Sequence, residues 1–580
     1  MIASEEYTIA CNGIKLKDKV KDSRYIELNH DKECDNVNTK INLNNFVSEI
    51  FKLDDRLKDL LEMAGYIFAA DRKTYRGGPE DLEYHSWARS LNFHFTVRDY
   101  DFWTRTDIQN LLKKSLLFMS GDHSYDFNFY KAETDFPTSF FDNENFVMDK
   151  PENMKVMLFS GGIDSLSGAI KLLETTDAEI CLASHQSGFP GTHTKQNTLF
   201  EELKRLYPNR CKHFKYECGL CEQKAKDETQ RTRSFLFTSI SFAIAHTYGQ
   251  DKLYVFENGI TSLNFAETQD LMNSRTSRTT HPKTIRHLEK LFSAIAERPF
   301  KIEHPFLYKT KTDVVEVLKK YDKLELLNNS VSCSETRGKG PMNSHCGTCS
   351  QCIDRRFAVY ATEVEDYDEQ GLYGFDFLKE DLEEGKTIKV LTEYIRMAQN
   401  YADSGLEEWY EDRGYELTEI IDYIDGKNPN EKFEKLYDLC IKHSKCIEKA
   451  INKMNEKHNP VFSPAKSEKS FFNMIIGSRL YQKEVERESG NGKMEIPTRQ
   501  LKNLAKKACE NLIFEGSITT ILKESKTDKT LSKMVTNEIK KKYKMTIKNE
   551  KSLSDYFRKL ELQLKKDKDK NLIVVANKSR

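Results

Sequence analysis

No apolar run in these 580 residues approaches the roughly 18 needed to cross a membrane. The opening stretch, MIASEEYTIACNG, has no signal-peptide pattern, so a cytoplasmic location without a membrane partner is the expectation. The 13 cysteines should then be reduced or metal-bound rather than paired. Net charge is missing too. Lys and Arg number 90 against 91 Asp and Glu, a balance of -1 that excludes polyanion binding by bulk charge. Nor does a lysine close the Ser160-Gly161-Gly162 turn, which excludes the GxxxxGK[ST] phosphate loop.

What is present suffices for real cores. Hydrophobic residues make up 38% and charged residues 31%, over a length that suits two to four domains. Charge is uneven along the chain. Residues 361–426 hold 20 Asp and Glu against 5 Lys and Arg, while 531–580 hold 15 basic residues against 6 acidic ones. Two solvated helical faces explain this, and a basic docking surface for an acidic protein or nucleic acid is the alternative.

The most informative stretch is Ser160-Gly161-Gly162-Ile163-Asp164-Ser165, entered through the apolar run Val156–Phe159. It predicts a buried strand, a tight turn and a helix over Asp164–Leu173 with Leu166, Ala169, Ile170 and Leu173 on one face. Glycines at a strand-to-helix junction leave room for an anion on the backbone N–H groups and the helix dipole, with the Ser160 and Ser165 hydroxyls as further donors.

The chain divides into three expected regions. Residues 1–150 predict an α+β domain, with alternating strands at Leu91–Val97 and Tyr125–Phe129 and a helix over 46–63. Its mix of Asp71, Arg72, Arg76, Trp87, Arg89, Arg98, Asp99 and Trp103 fits buried ion pairs, or else a surface for a protein partner. Residues 151–365 alternate strand and helix, which predicts a parallel sheet covered on both faces with its ligand site at the strands' carboxyl ends. Residues 366–580 predict polar helices, clearest at Leu406–Ile424, Asn430–Met454 and Thr498–Leu522, separated by polar breaks at 426–430 and 488–493.

Cys333, Cys346, Cys349 and Cys352, in SVSCSETRGKGPMNSHCGTCSQC, have the spacing of a closed structural zinc site. Iron–sulfur ligation is the other reading of such spacing. Cys218 and Cys221 form a second CxxC and read as buried thiols.

SGGIDS resembles the pyrophosphate loop of the N-type ATP pyrophosphatases. Together with CGTCSQC and Arg355-Arg356 it resembles the 7-cyano-7-deazaguanine synthase (QueC) family over about residues 152–360. The resemblance implies an adenine-nucleotide alpha-hydrolase-like parallel sheet, a structural Zn2+, and ATP with Mg2+. It implies adenylation of the carboxylate of 7-carboxy-7-deazaguanine with pyrophosphate release, then transfer of the acyl group to an amine. The loop residues Phe159, Ser160, Gly161, Gly162, Ile163, Asp164 and Ser165 would bind ATP. TRSFLFTSISFAIAH places Arg233 and Ser239 near ATP, ENG places Gly259 there, and PFLYKTKTDVVEVL puts Lys311 at the active site. Asp164, Arg233 and Lys311 would carry the chemistry, the two cations neutralising charge as the α-phosphate is attacked.

Two departures stand out. The family's Asp and YPDC residues of the deazapurine pocket are replaced by Gly259-Ile260-Thr261-Ser262 and Thr280-His281-Pro282-Lys283. The chain is also much larger, and resembles the QueC-like proteins of bacterial antiphage systems such as Qat and type IV CBASS. That resemblance implies a protein amine, such as an N-terminal glycine, as acceptor in place of ammonia. Free nitrile synthesis for queuosine-type nucleosides, tRNA modification through Cys218 and Cys221, and a non-catalytic nucleotide-binding scaffold are the competing readings.

Overall fold

A computed structural model describes most of residues 5–477 together with 562–566 and 572–576. Outside the described residues lie 1–4, 17–23, 43–52, 77–87, 134–152, 187–189, 222–224, 227–230, 266–277, 335–343, 461–465 and a few single positions. So does nearly all of 478–580, which holds the expected helix Thr498–Leu522, the break at 488–493 and most of the basic segment.

The central sheet is built from β6 (Met154–Leu158), β7 (Glu179–Gln186), β8 (Cys211–Leu220), β9 (Lys252–Tyr254) and β10 (Lys301–Glu303). The intervening helices are α3 (Ile163–Thr175), α4 (Pro190–Leu206), α5 (Arg233–Thr247) and α6 (Pro282–Ala296), with α7 (Lys311–Lys320) after β10. Strand order is β10-β9-β6-β7-β8, all parallel, with Val156 in register with both Cys181 and Leu253. The chain runs outward from β6 through β7 and β8, then returns to β9 on the other side. The crevice at that reversal, beyond β6 and β9, is where such sheets place ligands. The parallel sheet expected for this region is present.

The amino-terminal residues add to this sheet and build another. β1 (Glu5–Cys11), β2 (Arg24–Leu28), β4 (Arg89–Val97) and β5 (Ser124–Lys131) form a four-stranded parallel sheet in the order β2-β1-β4-β5. β3 (Thr39–Ile41) instead pairs antiparallel with β8, closing the edge of the central sheet. β4 alternates buried and half-buried positions as its sequence predicts. Phe93, Phe95, Phe127 and Phe129 stack in an aromatic ladder across β4 and β5, with ring centroids 5.2–6.2 Å apart.

The expected helix over 46–63 is α1, Asp55–Lys73. Asp54 caps it by accepting from the Leu57 N–H at 2.8 Å, and it runs ten residues further than expected because Gly65–Ala70 are buried all round, leaving no amphipathic period to read. α1 packs on α5, so one continuous apolar core extends from Tyr7 to Ile302.

The Arg, Asp and Trp mix of the amino-terminal region is largely internal. Asp71 and Asp122 have fully buried side chains and share Arg76 and Arg89 at 2.7–3.0 Å. Burial alone would raise both carboxyls, but Arg76 and Arg89 hold Asp71 down at about 2 and Asp122 well below the usual range. Asp71 also accepts from the Thr232 N–H and Oγ1 at 2.9 and 3.0 Å, tying this network to the start of α5. Arg98 pairs with Asp59 and Glu62, and Trp103 Nε1 donates to Asp59. Trp87 lies outside the described residues. Arg89→Met leaves two buried carboxylates undercompensated and should cost about 3–5 kcal/mol of unfolding free energy. Urea denaturation checks this, and a loss below about 1 kcal/mol would contradict the buried network.

Beyond the central sheet come α8 (Ser350–Thr362), α9 (Lys386–Asp403), α10 (Leu406–Ile421) and α11 (Pro429–His458). The helices expected at 406–424 and 430–454 are α10 and α11. α11 is the hub, packed by α8, α9 and α10. Several acidic residues of this region are paired, as in Arg286–Asp425 at 2.6 Å and Lys457–Asp366 at 2.7 Å. Separately, β11 (Leu562–Lys566) and β12 (Leu572–Ala576) form an antiparallel pair. Among the described residues no helix is long and apolar enough to cross a membrane.

Candidate functional site

The SGG turn leaves β6 at the reversal point. Phe159 is buried, and its N–H donates to the Ala183 carbonyl of β7 at 2.8 Å. Gly161 has φ +80°, a conformation costly for other residues, and a Cβ there would sit 2.9 Å from Gln196 Cγ. Gln196 Nε2 donates to the Ser160 carbonyl at 3.1 Å, and the Val331 N–H to that of Gly161 at 2.9 Å, so the loop is held from two sides. Inside the turn, Ser160 Oγ accepts from the Gly162 N–H at 3.2 Å and lies 3.2 Å from Ser165 Oγ. Gly162 is the N-cap of α3 and supplies no side-chain cap, while Ile163 is buried beneath the loop. A helix N-terminus left open in this way suits an anion.

Asp164 follows in the first turn of α3 and meets Lys311, the first residue of α7, in a buried ion pair. A capping box between Thr310 and Asp313 fixes where α7 starts and hence where Lys311 stands. Asp354 of α8 lies 3.9 Å from Lys311 Nζ and accepts from Tyr394 OH of α9 at 2.6 Å. Burial opposes the lysine's charge, but Asp164, Asp354 and Glu257 hold its pKa above the ordinary value. Glu257, just past β9, is pushed up to about 8 by burial and then by the Asp164 carboxylate, so it carries a proton at neutral pH. His304 Nε2 lies 3.0 Å from the Glu257 carbonyl, and burial drops this histidine to about 4, keeping it neutral. Sequence reasoning missed Glu257, Asp354, His304 and Tyr394. Glu257 is the first residue of the ENG turn and Asp354 stands two residues after the last cysteine, so their positions were the available signal.

Gly259 donates its N–H to the Lys309 carbonyl at 2.8 Å, joining the post-β9 turn to the segment before Lys311. Ser239 is fully buried in α5 with an Oγ that finds no partner, about 9 Å along the helix from Arg233 at 1.5 Å per residue. Arg233 opens α5, stacks on Phe237 at 4.8 Å, and has no direct contact with Lys311 among the described residues.

The four cysteines converge. All four Sγ atoms lie within 4.8 Å of one another, with Cys333–Cys349 and Cys346–Cys352 each at 3.9 Å. Tetrahedral zinc with bonds of about 2.3 Å separates its sulfurs by about 3.8 Å, so the donor set fits Zn2+. N–H groups of Cys346, Thr348 and Cys349 point at sulfurs at 3.3–3.4 Å, the usual support for thiolates. Gly347 has φ +83°, and a Cβ there would fall 1.9 Å from the Phe375 carbonyl oxygen, so the knuckle requires glycine. Just downstream, buried Arg355 pairs with Asp368 at 2.7 Å and bonds the Ser330 and Leu327 carbonyls, bracing the segment that leads to Cys333. The second CxxC is different. Cys218 is buried and its thiol is pushed well up, while Cys221 is half-buried.

Residues 217–363 match the family model described as Queuosine biosynthesis protein QueC. The match runs from the end of β8 to just past α8. It takes in Arg233, Glu257, Lys311, Asp354 and the four cysteines, while the SGG turn lies upstream. No curated protein matches the chain. QueC-family proteins are ATP-using synthases, and this chain carries a QueC-like segment at residues 217–363.

Proposed function

We propose that this protein is an ATP-dependent ligase that activates the carboxylate of a 7-deazaguanine-type acid, 7-carboxy-7-deazaguanine, and transfers the acyl group to an amine. The observation that carries this reading is the meeting of Asp164 and Lys311 beside the SGG turn at the reversal point of the sheet. The turn holds the β- and γ-phosphates of ATP on its open amides. A carboxylate oxygen of the acid attacks the α-phosphorus, and the bond to the β-phosphate oxygen breaks as pyrophosphate leaves. Lys311 takes up negative charge developing on the α-phosphate. The amine nitrogen then attacks the acyl carbon, loses a proton and expels AMP. Asp164 would hold Mg2+, which supplies charge neutralisation on the phosphates. Zn2+ on the four cysteines is structural, since a closed thiolate site has no open position.

The amine is a protein amine, as in the antiphage form, and the regions outside 217–363 hold that protein. The reaction is cytoplasmic. The acyl acceptor is read by mass spectrometry after incubation with ATP, the acid, ammonium and candidate partner proteins. A partner gaining the acid minus water is the expected outcome. Free amide or nitrile as the sole product would instead assign nucleoside-precursor synthesis.

A further inference from the structure

Past the end of the QueC match, the helical region reaches back to the Lys311 cluster through α9. Leu391, Tyr394, Ile395, Ala398 and Tyr401 of α9 are buried at helical spacing, the face this helix packs onto its neighbours α11 and α8. Tyr394 puts a hydroxyl into that apolar layer, and the hydroxyl meets Asp354 Oδ1 at 2.6 Å. Its ring is gripped edge-on from two sides, by Phe357 of α8 at 5.1 Å and by His443 of α11 at 5.6 Å. Burial, and then the Asp354 carboxylate, push the Tyr394 pKa well above its ordinary value, so the hydroxyl stays a donor.

The two oxygens of Asp354 are therefore divided. Oδ1 takes the Tyr394 hydrogen, while Oδ2 faces Lys311 Nζ at 3.9 Å, beyond hydrogen-bond reach. Asp164 Oδ2 touches the same ammonium directly. Lys311 is thus shared unequally between two carboxylates, bonded to the one at the SGG turn and merely near the one on α8. Which of them holds the lysine decides where its charge stands. Attraction between buried charges rises steeply as they approach, so a carboxylate free to turn would close the gap and draw Lys311 off Asp164. Asp354 is not free to turn, because its other oxygen is bonded to a tyrosine whose ring is fixed on two sides.

We infer that Tyr394 is a positioning residue that holds Asp354 back from Lys311 and so keeps the ammonium on Asp164 beside the SGG turn, which makes the helical region beyond residue 363 part of the reaction centre. The reaction this serves rests on the function proposed above; the placement of the lysine does not.

The test compares full-length wild type, Tyr394→Phe, and Tyr394→Phe combined with Asp354→Asn. Tyr394→Phe removes one oxygen and keeps the ring between Phe357 and His443; zinc content and thermal unfolding establish that each protein is folded. Pyrophosphate release is measured with ATP, Mg2+ and 7-carboxy-7-deazaguanine. In Tyr394→Phe, kcat is expected to fall about tenfold or more with KM for ATP within about twofold, since a displaced charge is lost in the transition state and the phosphate-holding turn is untouched. Adding Asp354→Asn removes the competing charge and is expected to raise kcat at least about threefold above the single variant, whereas a merely structural tyrosine would leave the double variant no faster. Crystal structures of wild type and Tyr394→Phe read the lysine itself, with its separation from Asp354 expected to shrink to about 3 Å in the variant. If wild type releases no pyrophosphate, the proposed function falls and these two structures alone decide the inference. If Tyr394→Phe does not fold, the double variant decides, with kcat expected within about tenfold of wild type and a greater loss overturning the inference. In a folded Tyr394→Phe protein, a lysine still seated on Asp164, or a kcat within about twofold of wild type, would overturn it.

Discussion

Asp164→Ala is expected to lower ATP-dependent pyrophosphate release by at least about 10³-fold, the upper range for loss of one preorganised electrostatic group. Asp164 stands in the first turn of α3, beside the SGG turn, and is the direct partner of Lys311. Its loss also frees Lys311 to swing toward Asp354, 3.9 Å away, so the lysine no longer points where charge would develop. The fold should survive, because Asp354 and Glu257 still compensate the buried lysine. Lys311→Met is the harsher change, since it strands three acids in one site. Glu257 adds a pH signature. Folding holds its proton up to about 8, against about 4.3 for a free glutamate. The folded chain therefore binds more protons than the unfolded one across that window, and Glu257 makes stability fall as pH rises from about 4.3 to about 8. Removing the Asp164 charge should lower the Glu257 pKa and flatten that slope. Pyrophosphate release unchanged in a folded Asp164→Ala protein would remove the Asp164–Lys311 pair from the chemistry.

Cys349→Ser should cost one zinc per chain and a large share of stability. Cys349 is both a thiol of the cluster and the N-cap of α8, which carries Asp354 into the site and Arg355 onto Asp368. Structural zinc contributes on the order of 10 kcal/mol in small zinc-binding peptides, and even a fraction of that is decisive in a domain stable by about 5–15 kcal/mol. Metal analysis and thermal unfolding read both effects. A full complement of zinc in the variant would refute the four-cysteine assignment. Chelation of the wild-type protein should reproduce the loss of stability.

Legibility in the sequence followed the strength of local pattern. The strands and helices from β6 to α7 could be read because buried strands and amphipathic helices alternate there, and the SGG turn marks its own junction. The cysteines converge as their spacing implied. α1 runs past the expected end at residue 63 because its buried half, Gly65–Ala70, is apolar on every side, while 46–52 lie outside the described residues. Strand direction in the amino-terminal sheet, and the loan of β3 to the edge of β8, depend on long-range pairing that no local window contains. The site was legible only where a motif existed. Glu257, Asp354 and His304 come from three separate segments and are joined only by the closure of the sheet and the packing of α8.

The most direct measurement is phosphorus NMR of ATP turnover by the full-length protein, with Mg2+ and 7-carboxy-7-deazaguanine present. Acid-dependent appearance of AMP and pyrophosphate is the result that the proposed roles of the SGG turn and Lys311 predict. Conversion to ADP and inorganic phosphate, or no turnover of a nucleotide that binds, would contradict the account at its centre.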